Sequence, residues 1–119
     1  MKGKELGIAI TALLLAHPRF IAKNKAAYAA FFHHTTTGKV IAVSPTKTSF
    51  TNLWVESSVV PPGTIAGVKD KAYFASNYAV SKPNHDLFGK DGFDEVDLTN
   101  FKVEDVWQAV RVLVQTGGI

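Results

Sequence analysis

The string His33-His34-Thr35-Thr36-Thr37-Gly38-Lys39 brings two imidazoles, three hydroxyls, a glycine and an ammonium group into seven consecutive positions. Free backbone N–H groups beside a glycine, hydroxyls and a lysine are the parts from which phosphate cradles are made. The Gly38-Lys39 pair invites comparison with a P-loop, and the comparison fails at two places. A glycine belongs where His33 stands, and a serine or threonine belongs where Val40 follows Lys39. The composition of the string instead predicts turn and capping chemistry, in which the threonines and the glycine serve the local backbone.

Other reactive types are sparse. His85-Asp86 is the obvious general-base candidate, but no activated nucleophile accompanies it, so it reads as a loop pair. Zinc needs three or four convergent ligands, and two adjacent histidines such as His33 and His34 rarely both point inward from one element. No metal or cofactor is therefore expected, and catalytic residues are expected to be absent. The chain has no cysteine, which excludes disulfides, thiol chemistry and cysteine zinc sites and fits a reducing cytoplasm.

One pair of short strings resembles an enzyme family. His34-Thr35, followed by Tyr73-Phe74-Ala75-Ser76, is similar to the first two signatures of mono-ADP-ribosyltransferases. The resemblance implies that His34 and Tyr73 would grip a nicotinamide cofactor and that Glu95 or Asp97 would supply the acid that orients ribose or acceptor. Read from the residues alone, Tyr73 and Phe74 lie on opposite faces of a core strand.

Charge is distributed unevenly. No Asp or Glu occurs between Glu5 and Glu56, while Arg19, Lys23, Lys25, Lys39 and Lys47 fall in the same interval. Residues 1–60 hold seven Lys and Arg against two acids, and residues 61–119 hold six against eight, so the net charge of +3 hides a dipolar molecule. Lysines without carboxylates between them sustain the positive potential that meets phosphate or another polyanion. The opposite pole is the segment 86–105, with Asp86, Asp91, Asp94, Glu95, Asp97 and Glu104.

A chain of 119 residues, 46% hydrophobic, has enough apolar surface for one core and predicts a single domain over residues 1–119. Lys2 and Lys4 ahead of the apolar run Leu6 to Ala16 imitate a secretory signal, but His17-Pro18-Arg19 interrupts the run. The A-x-A match Ala27-Tyr28-Ala29 lies beyond two further lysines. The run reads as a buried helix from about Lys4 to Ala16, too short for a bilayer that needs about twenty residues. Leu6, Ile10, Leu13, Leu14 and His17 share one face of it. Ile8, Ala9, Ala12, Leu15 and Ala16 make the other face apolar too, which places the helix centrally or in a homo-oligomer contact.

Pro18 suits the first turn of a second helix, roughly Arg19 to His33, with Phe20, Ala27 and Phe31 inward. The rival reading makes Tyr28 to His34 a strand paired with Val40 to Ser44 across the threonine turn. Val40 to Ser44 and Phe50 to Ser57 form a hairpin, with Thr51, Leu53 and Val55 on one face and Phe50, Asn52, Trp54 and Glu56 on the other. Ala72 to Val80 is a third strand, and Asp91-Gly92 marks a tight turn. Val103, Val106, Trp107, Val110, Leu113 and Val114 predict a closing helix, with Glu104 and Asp105 at its positive end and Gly117-Gly118 as its stop. The expected fold is therefore α+β: two N-terminal helices, a small mostly antiparallel sheet covered on one side, and a C-terminal amphipathic helix.

These readings predict a non-catalytic binding protein whose basic N-terminal half contacts a polyanion, nucleic acid first. Lys23, Lys25, Lys39 and Lys47 are the candidate phosphate contacts, and Phe50 and Trp54 the candidate stacking residues for single-stranded bases. The rival is a protein-interaction module, of inhibitor, immunity or adaptor type, that docks an acidic protein surface by charge complementarity.

Overall fold

The computed structural model describes residues 3–25, 30–45, 49–74 and 96–116, with side chains described for all of these except 23–25 and 45. A helix α1 (Gly3–Ala16) is followed by strands β1 (Phe20–Lys25), β2 (Ala30–His34), β3 (Val40–Pro45), β4 (Thr51–Glu56), β5 (Lys69–Tyr73) and β6 (Leu98–Val103), and then by a helix α2 (Val106–Gln115). The strands form one antiparallel sheet in the order β1-β2-β3-β4-β6-β5. The chain thus climbs a four-strand meander, steps past one position to β5 at the edge, and returns through β6 into the gap. The architecture is α+β.

The expected first helix is present almost to the residue. Glu5 stands in its first turn, where a carboxylate favours the positive helix end, and Pro18 lies just beyond its last turn. Gly3, Leu6, Gly7, Ile10 and Leu14 form the buried stripe. The expected second N-terminal helix is not there: Arg19 to His33 contributes β1 and β2 instead. The spacing of Phe20, Ala27 and Phe31 suits a helix, but the β-favouring types Phe20, Ile21, Phe31 and Phe32 fit a pleated surface better. Phe20 is buried and Ile21 half-exposed, the alternation of a strand. The rival strand reading is the one observed, for β2 pairs with β3 from Ala30↔Val43 to His33↔Val40. Of the third strand expected at 72–80, β5 covers the beginning and starts earlier, at Lys69. The rest of that strand, the Asp91-Gly92 turn and the Gly117-Gly118 stop lie outside the described residues.

Both helices cover the same face of the sheet. Under them, Phe20 of β1, Phe32 of β2, Ile41 and Val43 of β3, Leu53 and Val55 of β4, and Phe101 and Val103 of β6 pack with Leu6, Ile10 and Leu14 of α1 and with Ala109, Val112 and Leu113 of α2. The hydroxyl of Thr51 donates to the carbonyl of Gly3, tying the start of α1 to the start of β4. The opposite face carries a second, smaller cluster of Phe31, Ala42, Trp54 and Leu98, with Val40, Tyr73 and Val96 against it.

At the start of α2 the carboxylate of the N-cap Asp105 accepts from the Gln108 N–H at 2.8 Å, and the Gln108 side chain accepts from the Glu104 N–H at 2.7 Å. This reciprocal arrangement is a variant of the capping box and satisfies two otherwise orphaned donors. Only part of the apolar stripe that predicts this helix is buried. Val103 belongs to β6, Trp107 and Val114 point to solvent, and Ala109, Val112 and Leu113 take the core. Seven of the ten residues of α2 are apolar, so periodicity alone does not decide which arc meets the sheet.

Phe101→Ala, which empties a fully buried position between the helices and the sheet, is expected to lower unfolding free energy by about 3–5 kcal/mol. Ile8→Ala on the open side of α1 should change it by less than about 0.5 kcal/mol. Urea titration of the two variants beside the parent protein measures both, and equal losses would contradict the placement of α1.

Candidate functional site

The turn that joins β2 to β3 is closed on itself. Thr36 and Thr37 N–H donate to His34 Nδ1 at 3.1 and 3.3 Å, and Gly38 N–H donates to the His34 carbonyl at 2.8 Å. His34 N–H donates to the Lys39 carbonyl, Thr35 N–H to the Arg19 carbonyl, and Lys39 N–H to the Thr37 hydroxyl. Val40 N–H donates to Glu56 Oε2 at 3.4 Å. Every backbone donor from His34 to Val40 is therefore already engaged, and a cradle of free N–H groups for phosphate does not form here. Gly38 sits at a φ of 69°, a backbone region that favours glycine in a tight turn. Turn chemistry, not ligand chemistry, accounts for this string.

His34 itself is buried at 5% exposure, edge-on to Phe20 with ring centres 5.5 Å apart. Its Nδ1 accepts from the turn, and its Nε2 has no hydrogen-bond partner among the described residues. It lines a crevice with Thr37, Lys39, Glu56, Val59 and Thr116. The crevice measures only about 230 Å³ with open solvent included, below the roughly 300–1,000 Å³ of ordinary small-molecule pockets.

The residues of the ADP-ribosyltransferase resemblance are not brought together. His34 lies on the helix side of the sheet, packed against Phe20, whereas Tyr73 belongs to the cluster on the far side. β2 and β5 are four strand positions apart, roughly 19 Å at the usual interstrand spacing. One nicotinamide ring cannot touch both. Asp97 is exposed, and Glu95 lies outside the described residues. His33 and His34, as neighbours on β2, project to opposite faces. His85 and Asp86 lie outside the described residues, and no three His, Asp or Glu side chains converge for a metal among the described ones.

The candidate binding residues also separate. Lys39 is exposed but forms an ion pair with Glu56 at 3.5 Å. Lys23 and Lys25 fall on β1, without described side chains, and Lys47 lies outside the described residues. Phe50 is partly buried just ahead of β4. Trp54 is 2% exposed and packs on Tyr73 with ring centres 5.0 Å apart, so its indole offers no open face to a base.

What the sheet does assemble is a different set of cations. On the face away from the helices the register sets Asn52 opposite Lys102 and Lys102 opposite Lys69, and in the next row Trp54 opposite Asn100 and Asn100 opposite Lys71. Lys69, Lys71 and Lys102 are all exposed and share this face. None has a carboxylate partner among the described residues. Lys102 Nζ lies 5.1 Å from the centre of the Phe50 ring and Lys71 Nζ 5.2 Å from that of Tyr73, within cation–π range. Two of the three ammonium groups are thus held in place by rings. The one nearby acid of β5, Asp70, points to the other face and accepts from the Gly63 N–H at 2.8 Å.

Comparison of the chain with protein-family models, with curated proteins and with solved structures finds no match.

Like charges placed directly opposite on neighbouring strands destabilise a sheet. Lysines on an edge strand discourage other strands from adding, which explains Lys69 and Lys71 on β5. It does not explain Lys102, which sits on an interior strand between β4 and β5. Reading by sequence missed this set because the second half of the chain is acid-rich by count. Lys69-Asp70-Lys71 at period two was the available signal, and only strand pairing adds Lys102. Lys69→Glu, which replaces repulsion toward Lys102 by attraction, is expected to raise stability by about 0.2–1 kcal/mol, checked by urea titration at low ionic strength. A loss of stability would contradict the pairing.

Proposed function

We propose that this chain is a non-catalytic binding protein that holds a polyanion, nucleic acid first, against the face of the sheet opposite the helices. The observation that carries the reading is Lys102: an interior-strand lysine set against Lys69, beside Lys71, with no carboxylate partner among the described residues. A bound phosphate chain offsets the repulsion that this placement costs. Lysines act as point charges on phosphate oxygens, and the aromatic rings beneath Lys71 and Lys102 hold their ammonium groups ready without reading bases. Recognition on this face is accordingly of backbone charge and independent of sequence. The acid-free N-terminal half, through Lys23, Lys25, Lys39 and Lys47, adds long-range attraction rather than the contact itself.

Binding of labelled oligonucleotides, followed by fluorescence anisotropy across a salt series, tests this directly. Three phosphate contacts predict a slope of log K against log salt of about −2 for single strands and about −2.7 for duplex. Each of Lys69→Ala, Lys71→Ala and Lys102→Ala should flatten the slope by about 0.7 to 0.9. No binding even at low ionic strength, together with capture of an acidic polypeptide such as polyglutamate, would transfer the face to an acidic protein partner. Binding that the three variants leave unchanged would remove the face from the reading altogether.

A further inference from the structure

The lysine face has a direction. Lys102 stands in one row with Asn52 and Lys69, and Lys71 stands in the next row with Asn100 and Trp54. Phe50 precedes Asn52 by two residues and so lies beyond the first row, while Tyr73, two residues after Lys71, lies beyond the second. Lys102 Nζ is 5.1 Å from the centre of the Phe50 ring, and Lys71 Nζ is 5.2 Å from that of Tyr73. The two ammonium groups therefore lean apart along the strands, toward rings whose backbones are three rows, roughly 20 Å, from one another. Lys69, in the row of Lys102, falls between the two rings. The cations form a track and not a cluster, so one phosphate group cannot meet all three. Acids bound the track at both ends. Past Lys102 the chain leaves β6 into exposed Glu104 and Asp105, and exposed Asp97 immediately precedes Leu98 at the other end of the strand. The positive potential is strongest over the middle rows and falls off toward both strand ends.

Resting on the polyanion reading of this face, we propose that its ligand is a short stretch of single-stranded nucleic acid laid along β5 and β6, in preference to duplex or to a free nucleotide. Duplex has the higher charge density and releases more counterions per contact, so lysines alone would favour it. The acids at the ends reverse that order. Duplex is stiff over about 150 base pairs, so one that follows the strands is carried straight on over the carboxylates. One turned across the strands keeps only Lys69 and Lys102. A single strand bends away after the last lysine and avoids the acids. Compact anions such as a triphosphate are too short to bridge cations that the rings hold apart.

Fluorescence anisotropy of the full chain at low ionic strength is the test, with labelled oligothymidylates of graded length, duplexes of equal length, and inorganic triphosphate as competitor. Affinity is expected to rise up to about four nucleotides and then level off. It should exceed that for duplex by about tenfold, the effect of two close approaches of like charge in water, and should withstand equimolar triphosphate. Glu104→Gln should close part of the gap between single strand and duplex, and Glu104→Gln with Asp97→Asn most of it, with single-strand binding nearly unchanged. Duplex bound as tightly as single strand, full affinity from a dinucleotide, or displacement by equimolar triphosphate overturns the proposal and leaves the polyanion reading standing. So does a gap that both variants keep. Absence of binding to every oligonucleotide overturns the two together.

Discussion

Because side chains alternate along a strand, the register that sets Leu53 of β4 against Val43 on one side and Phe101 on the other decides both faces of the molecule at once. A slip of one residue would turn Asn52, Trp54 and Glu56 under the helices and move Leu53 and Val55 out of the main core to the opposite face. The register is held from several directions. Thr51 reaches the first carbonyl of α1, Glu56 takes the Val40 N–H and pairs with Lys39, and the Asn100 amide donates to Asn52 at 3.3 Å across the β4–β6 pair. The same alternation that buries the core beneath α1 and α2 sets Asn52, Lys102 and Lys69 in a row on the far side.

The two sides of the sheet are consequences of that sorting. One side of the sheet is closed by helices whose own outer arcs remain apolar at Ile8, Leu15, Trp107 and Val114. The other carries a small aromatic cluster around Trp54, with lysines beside it on β5 and β6. Aromatic rings serve there as packing and as supports for ammonium groups, a use that differs from base stacking but draws on the same quadrupole of the ring. Among the described residues no helix is long and apolar enough to cross a membrane.

The sequence made some of this legible and hid the rest for identifiable reasons. The first helix could be read from Leu6, Ile10 and Leu14 and the stop at Pro18, and the β3–β4 hairpin from alternation in Thr51, Leu53 and Val55. The segment 19–34 was ambiguous because phenylalanines at helical spacing also suit strands, and only pairing with β3 resolves it. Leu98 to Val103 escaped notice since its apolar end ran into the apolar positions of the helix that follows. Trp107 falls on the apolar period of α2, but that period fits more than one arc, and the structure turns Trp107 to solvent. The lysine face was only half legible: Lys69 and Lys71 alternate at period two, but Lys69 and Lys102 are neighbours only through the antiparallel register of β5 and β6.

Amide chemical-shift mapping during titration with a short oligonucleotide tests the central claim most directly, since it reports which strands meet the ligand without altering a residue. The account predicts that the largest shifts fall on Lys69 to Tyr73 of β5 and Asn100 to Lys102 of β6, with α1 and α2 undisturbed. Shifts confined to β1 and the β2–β3 turn, or spread over the helices, would contradict it.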